Sequence, residues 1–87
     1  MHEFSLLANL MRKINDIAQQ QQVTKVEAVK VKLGALCHIS AAHFREHFVH
    51  AAIGTVAQGA RLDIEEATDP EHPHAQDILL DSIEVAE

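Results

Sequence analysis

The sequence predicts an α+β domain: two helices packed on one face of a small three-stranded sheet, in the order helix, strand, helix, strand, strand. Two stretches repeat apolar residues at three- and four-residue steps, the mark of amphipathic helices, and others alternate apolar with polar residues in the period-two manner of strands. Hydrophobic residues make up 47% of the chain with three Phe and no Trp or Tyr, so the core is aliphatic. Such a core suits compact helix-on-sheet layers. At 87 residues the chain reads as a single domain over 1–87. A domain of that size buries about 60% of the surface its unfolded form exposes.

The first helix runs from Glu3 to about Gln20, where Phe4, Leu7, Met11, Ile14 and Ala18 form an apolar stripe and Arg12, Lys13, Asn15, Asp16 and Gln19 fill much of the remainder. The polar tract Gln19 to Gln22 ends it. In "KVEAVKVKLGAL" Val29, Val31 and Leu33 alternate with Lys30 and Lys32, a strand half in water. Val26 and Ala28 fall out of that phase, which calls for a bulge or for cover on both faces. Ser40 is a good N-cap for a second helix, about Ala41 to Ile53, with Phe44, Phe48, Ala51 and Ala52 on its apolar side and Gly54 as its stop. "ARLDIEEA" sets Ala60, Leu62 and Ile64 against Arg61, Asp63 and Glu65, a second strand, and "DILLDSIEVA" is a third, less regular because Asp81 and Ser82 interrupt it. The intervening "TDPEHPHAQ" is a short, hairpin-like loop.

Composition excludes several classes of function. Thirteen acidic residues against seven Lys and Arg give a formal net charge of −6, the wrong sign for a phosphate-neutralising surface, so no nucleic-acid partner is expected. The single Cys37 excludes an intrachain disulfide and a zinc site built on paired Cys-x-x-Cys motifs, and it fits a reducing cytoplasm. No signal peptide is read at the start, because Glu3 and Asn9 interrupt the first apolar stretch, and no apolar run reaches the roughly 18 residues that would span a bilayer. There is no Ser-His-Asp order, phosphate-binding Gly-rich loop or catalytic carboxylate pair, so no enzyme is expected.

The seven His are the unusual feature, and they fall in three places. With a free α-amine at Met1, the amine nitrogen and the deprotonated amide nitrogen of His2 close a five-membered chelate, and His2 Nδ1 closes an adjoining six-membered one. The amide of Glu3 completes a nitrogen square, a geometry that selects Ni(II) or Cu(II) over tetrahedral zinc. The alternative is that His2 simply starts the helix. His43, His47 and His50, spaced i, i+4 and i+7, line one stripe of the second helix; the spacing permits chelation, while a solvated shoulder is the reading the residues favour. His38 follows Cys37, which reads as a buried thiol. His72 and His74, with Glu71 and Asp77, sit in the Pro-bearing loop, either as ligands or, the favoured reading, as polar loop residues.

"MHEFSLLANLM", "VKLGAL", "GTVAQGARLDIEE" and "DSIEVAE", in this order and spacing, resemble the hydrogenase-maturation nickel metallochaperones of the HypA/HybF family over nearly the whole chain. The resemblance implies that Met1, His2 and Glu3 hold nickel. It also brings a departure: the family inserts a zinc domain with two Cys-x-x-Cys pairs between the last two strands, where this chain has "ATDPEHPHAQD". Structural zinc is therefore not expected here, and functions that depend on the zinc domain are not carried over.

The function so implied is a non-catalytic nickel carrier. It would hold Ni(II) at the amino terminus and pass it to a nickel-enzyme precursor, such as a hydrogenase large subunit, or to another maturation factor. The competing readings are a metal-independent adaptor that keeps the fold, and a nickel store or sensor built on the helix His stripe. Exposed strand edges make a homodimer, by edge pairing or strand exchange, a further expectation.

Overall fold

The computed structural model describes residues 2–86, with side chains from Ser5 onward. Helix α1 spans His2–Gln20, strand β1 Val26–Leu33, helix α2 Ala41–Ala52, strand β2 Arg61–Glu66 and strand β3 Ile78–Val85. This is the predicted order, and the fold is α+β. Helix α2 stops one residue earlier than expected: Ile53 leaves helical backbone at ψ 128°, and Gly54 follows at φ 79°, a left-handed conformation that glycine adopts without a Cβ penalty. Its start is as predicted, with Ser40 Oγ accepting the His43 backbone N–H at 3.1 Å.

The strand order is β2-β1-β3, with β1 parallel to β2 and antiparallel to β3. The loop between the last two strands is thus no hairpin, because β1 lies between them. Residues 67–77 instead cross the end of β1. The Ala67 N–H donates to Leu33 O at 2.8 Å, Leu36 N–H to Ala75 O at 2.7 Å and Gly34 N–H to Asp77 O at 2.9 Å, so the crossing is pinned to β1 on both sides. The physical reason lies in β1 itself. Val26, Val29 and Val31 are all 0% exposed, and a strand so buried takes the centre of the sheet with a ladder on each edge.

Two register shifts in the β1–β3 ladder explain the broken alternation of both strands. Val26 pairs with Val85 and Ala28 with Glu84, so Glu27 is the extra residue and Val26 turns to the same face as Val29. On β3, Lys30 pairs with Ser82 and Val31 with Leu80, so Asp81 is extra and both Leu80 and Ile83 face the covered side. Without that bulge one of the two would point to water.

The core lies between the helices and one sheet face. From α1 it takes Leu7, Leu10, Met11, Ile14 and Ala18, and from α2 Phe44, Phe48 and Ala52; Ala51, expected on the apolar side, is exposed. The other sheet face is open and charged. Lys30 pairs with Glu65 and Asp81, and Lys32 with Glu65, at 3.5 to 3.8 Å. Arg61 reaches over Ala28, its neighbour on β1, to Glu84 at 2.9 Å. Hydrogen bonding to Asp63, then the charges of Asp63 and Glu84, hold the Arg61 guanidinium above its already high ordinary value. It stays charged, and, being largely exposed, it marks register rather than supplying stability.

Candidate metal centre

Of the residues expected to hold metal, Met1 and the side chains of His2 and Glu3 lie outside the described residues. The backbone of His2 and Glu3 opens α1. The first four N–H groups of a helix have no intrahelical acceptor, so the amides required for the nitrogen square are not committed to the helix. From Leu7 onward α1 is fixed by its buried face, and it packs against β3 and α2.

On α2, Phe44 and Phe48 are 1% and 2% exposed, which fixes the helix rotation and turns the His stripe outward. His43 and His50 are exposed and His47 is half-buried. The imidazoles of His43 and His47 stack, with centroids 4.5 Å apart and planes 28° from parallel. The Arg45 guanidinium, on another side of the helix, donates to Leu62 O at 2.8 Å and ties α2 to β2.

In the crossing loop the sequence left the roles of the histidines open, and the structure gives each a specific bond. His72 Nδ1 accepts the His74 backbone N–H at 3.0 Å, so neutral His72 carries its proton on Nε2 and offers no lone pair there. His74 Nδ1 lies 2.9 Å from Asp77 Oδ2. The two rings are 5.8 Å apart. The i, i+3 spacing of His74 and Asp77 is the one sequence signal for that pair. Beside them opens a cleft of about 280 Å³ lined by Lys32, Glu65, Glu66, Asp69, His72 and His74 among others, where the Lys32 ammonium opposes a cation.

Cys37 is buried, as expected, with Sγ 3.8 Å from Ile39 O. The pair Cys37–His38 lies beyond the end of β1, and His38 takes φ 61°, so a turn and not strand alternation separates their side chains. Among the described residues, no group of three or more His, Cys, Asp or Glu gathers in a way that could hold a metal ion. None of their helices is long and apolar enough to cross a membrane.

Comparison with known proteins decides the family. Residues 1–70 match the family described as "Hydrogenase/urease nickel incorporation, metallochaperone, hypA". The chain belongs to the HypA family. It is 37% identical over 65 residues to the hydrogenase maturation factor HypA of Methylocella silvestris, covering 75% of this chain and 58% of that protein. With the HypA of Chloroflexus aurantiacus it shares 39% over 66 residues, 76% of this chain and 58% of the relative. The chain therefore spans little more than half the length of these HypA relatives. The solution structure of the Ni metallochaperone HypA from Helicobacter pylori is similar at TM-score 0.79 and 21% identity, covering 98% of this chain and 97% of that one. That likeness shows a common fold, and it takes in β3, which lies beyond the family match.

Proposed function

We propose that this HypA-family chain carries Ni(II) as cargo for the maturation of a nickel enzyme, holding it at Met1, His2 and Glu3. The observation that supports this is the family match, which starts at residue 1 and so includes all three. The donors are the Met1 α-amine, the deprotonated amide and Nδ1 of His2, and the Glu3 amide, with the Glu3 carboxylate adding negative charge beside the ion. Closing chelate rings across successive backbone nitrogens pulls ψ towards zero, away from about −42° in a helix. Loading therefore takes the first residues of α1, which begins at His2, out of helical backbone.

Delivery is ligand exchange: an incoming donor displaces one terminal nitrogen at a time, and no substrate is turned over. The recipient is a nickel-enzyme precursor, such as a hydrogenase large subunit, or another maturation factor. The working compartment is the cytoplasm. The family description favours this reading over a metal-independent adaptor.

Nickel titration of the native terminus, a one-residue extension ahead of Met1, and His2→Ala tests the site. The native chain is expected to take about one Ni(II) with the yellow d–d absorption of a square-planar ion. Binding weakens as pH falls through the ordinary amine and imidazole values, about 8 and about 6.5, because those nitrogens must lose protons to bind. Both altered proteins lose it. An extended chain that binds as tightly as the native one overturns the assignment, since extension converts the amine to an amide and leaves His2 in place.

A further inference from the structure

We propose that two copies of this chain pair through the outer edge of β3, antiparallel about a two-fold axis that passes between Asp81 and Ser82, so that one sheet runs through both. The pairing uses none of the residues assigned to nickel.

β3 has a neighbouring strand, β1, on one side only. Successive residues of a strand turn their backbone N–H and C=O to opposite edges. At one end the Gly34 N–H donates to Asp77 O, and at the other the Ala86 N–H donates to Lys25 O, so Asp77 and Ala86 face β1. Alternating inward from both ends, Leu79, Ser82 and Glu84 also face β1, and Ile78, Leu80, Ile83 and Val85 face out. The two series meet at Asp81, the extra residue of the bulge, which is what lets Leu80 and Ile83 both face out. Among the described residues, no backbone bond reaches these four from outside the sheet.

That outer edge is self-complementary. Turned end for end, the strand sets Ile78 opposite Val85, Leu80 opposite Ile83, Leu79 opposite Glu84 and Asp81 opposite Ser82. The first two are hydrogen-bonded pairs of apolar residues on the covered face, contacts that stabilise an antiparallel ladder, and no two like charges lie directly opposite. Lys30 lies 3.6 Å from Asp81 and Arg61 2.9 Å from Glu84, so each acid of this strand already has its own cation. Leu80, Ile83 and Val85 are only half-buried within one copy, although they pack against the core. Beside them a groove of about 250 Å³, lined by Leu6 and Leu10 of α1 and by Ile78 and Leu80 of β3 among others, stays open. Val85 of the second copy, opposite Ile78, comes to its mouth on the covered side.

The other edge of the sheet is guarded. The Ala67 N–H donates to Leu33 O, so on β2 it is Leu62, Ile64 and Glu66 that face out. Arg45 already takes Leu62 O, and the two self-pairing registers that overlap nearly all of β2 set Asp63 opposite Asp63 or opposite Glu65. Charges so placed keep edge strands apart, and β3 lacks that protection.

The test is sedimentation and amide hydrogen exchange of the full chain, held free of metal by a chelator. A pair of eight-residue strands is a small interface, and each copy carries a net charge of −6. The dimer is therefore expected to build up with protein concentration and to strengthen severalfold at about 1 M salt, where the Debye length falls to about 3 Å. As it forms, the amides of Ile78, Leu80, Ile83 and Val85 should exchange at least tenfold more slowly, while the outward amides of Ile64 and Glu66 on β2 keep their rates. Ser82 is exposed, and Ser82→Asp sets an acid opposite each Asp81 without touching the core. It is expected to weaken the dimer at least tenfold, whereas Ser82→Lys, which sets a cation there, strengthens it. A chain that stays monomeric at about 1 mM in high salt overturns the proposal. So does a dimer indifferent to both Ser82 changes, or one that slows Ile64 and Glu66 in place of the β3 amides. A dimer in which the β3 amides stay fast, as after an exchange of strands that leaves the edge bare, overturns it as well.

Discussion

Gly34 is where the crossing loop meets the sheet. A Cβ there would lie 2.2 Å from the Ala75 carbonyl oxygen and 2.6 Å from that of His74, both backbone atoms that cannot swing aside. Gly34→Ala must therefore push residues 74–77 off the end of β1 and strain the bonds from Leu36 N–H to Ala75 O and from Gly34 N–H to Asp77 O. The expected cost is about 2 kcal/mol, in the range of overpacking changes, read as a lower urea midpoint with an unchanged slope. Nothing local in "VKLGAL" announces this role, because the obstructing atoms belong to a loop far along the chain. The histidines behave in the same way. Their positions on α2 and in the loop were legible from spacing, whereas the stacking of His43 on His47 and the capture of His72 Nδ1 depend on rotamers and turns that spacing does not specify.

At the scale of elements, α1 was the most legible, since an amphipathic stripe needs no partner to be read; Leu10, 2% exposed, widens the stripe beyond the residues first picked out. Strand order was not legible, because period-two alternation tells which face is covered and not which strand lies alongside. The interruption at Asp81 and Ser82 was visible, but its meaning, a bulge that returns Leu80 and Ile83 to one face, appears only with the ladder. Between elements, Arg45 is the polar tie of α2 to the edge strand β2, its Nη1 2.8 Å from Leu62 O. Arg45→Ala removes a charge-assisted, part-buried bond, so the expected loss is about 1.5 kcal/mol, the low end for bonds to charged groups. Arg12→Ala is the matching control. Its Nη1 bonds Asn9 within the same helix at 3.2 Å, and its loss should stay within about 0.5 kcal/mol in the same denaturation experiment.

For the whole molecule the question is whether these parts form a stable unit without a metal ion. The core runs unbroken from α1 through the sheet face to α2, and the radius of gyration of 12.6 Å is close to the roughly 12 Å expected of a compact chain of this length. The one cysteine is a free thiol buried in that core, and the stretch joining β2 to β3 is held by backbone bonds to β1 and by the packing of Ala75, 5% exposed, against Gly34. A structural metal supplies folding energy when a chain cannot bury enough of itself. We predict that burial by two helices on three strands takes that part here. Treatment with a strong chelator is therefore expected to leave the far-ultraviolet circular dichroism and the melting temperature where they were. Adding nickel should likewise leave the melting temperature within a degree or two, since a chelate made by three consecutive terminal residues forms on the folded and the unfolded chain alike and so shifts their balance little. A cooperative loss of structure on chelation would mean that the crossing loop or another segment depends on a bound ion. Cargo and scaffold would then be one system, whereas a carrier that must survive giving up its nickel needs them separate.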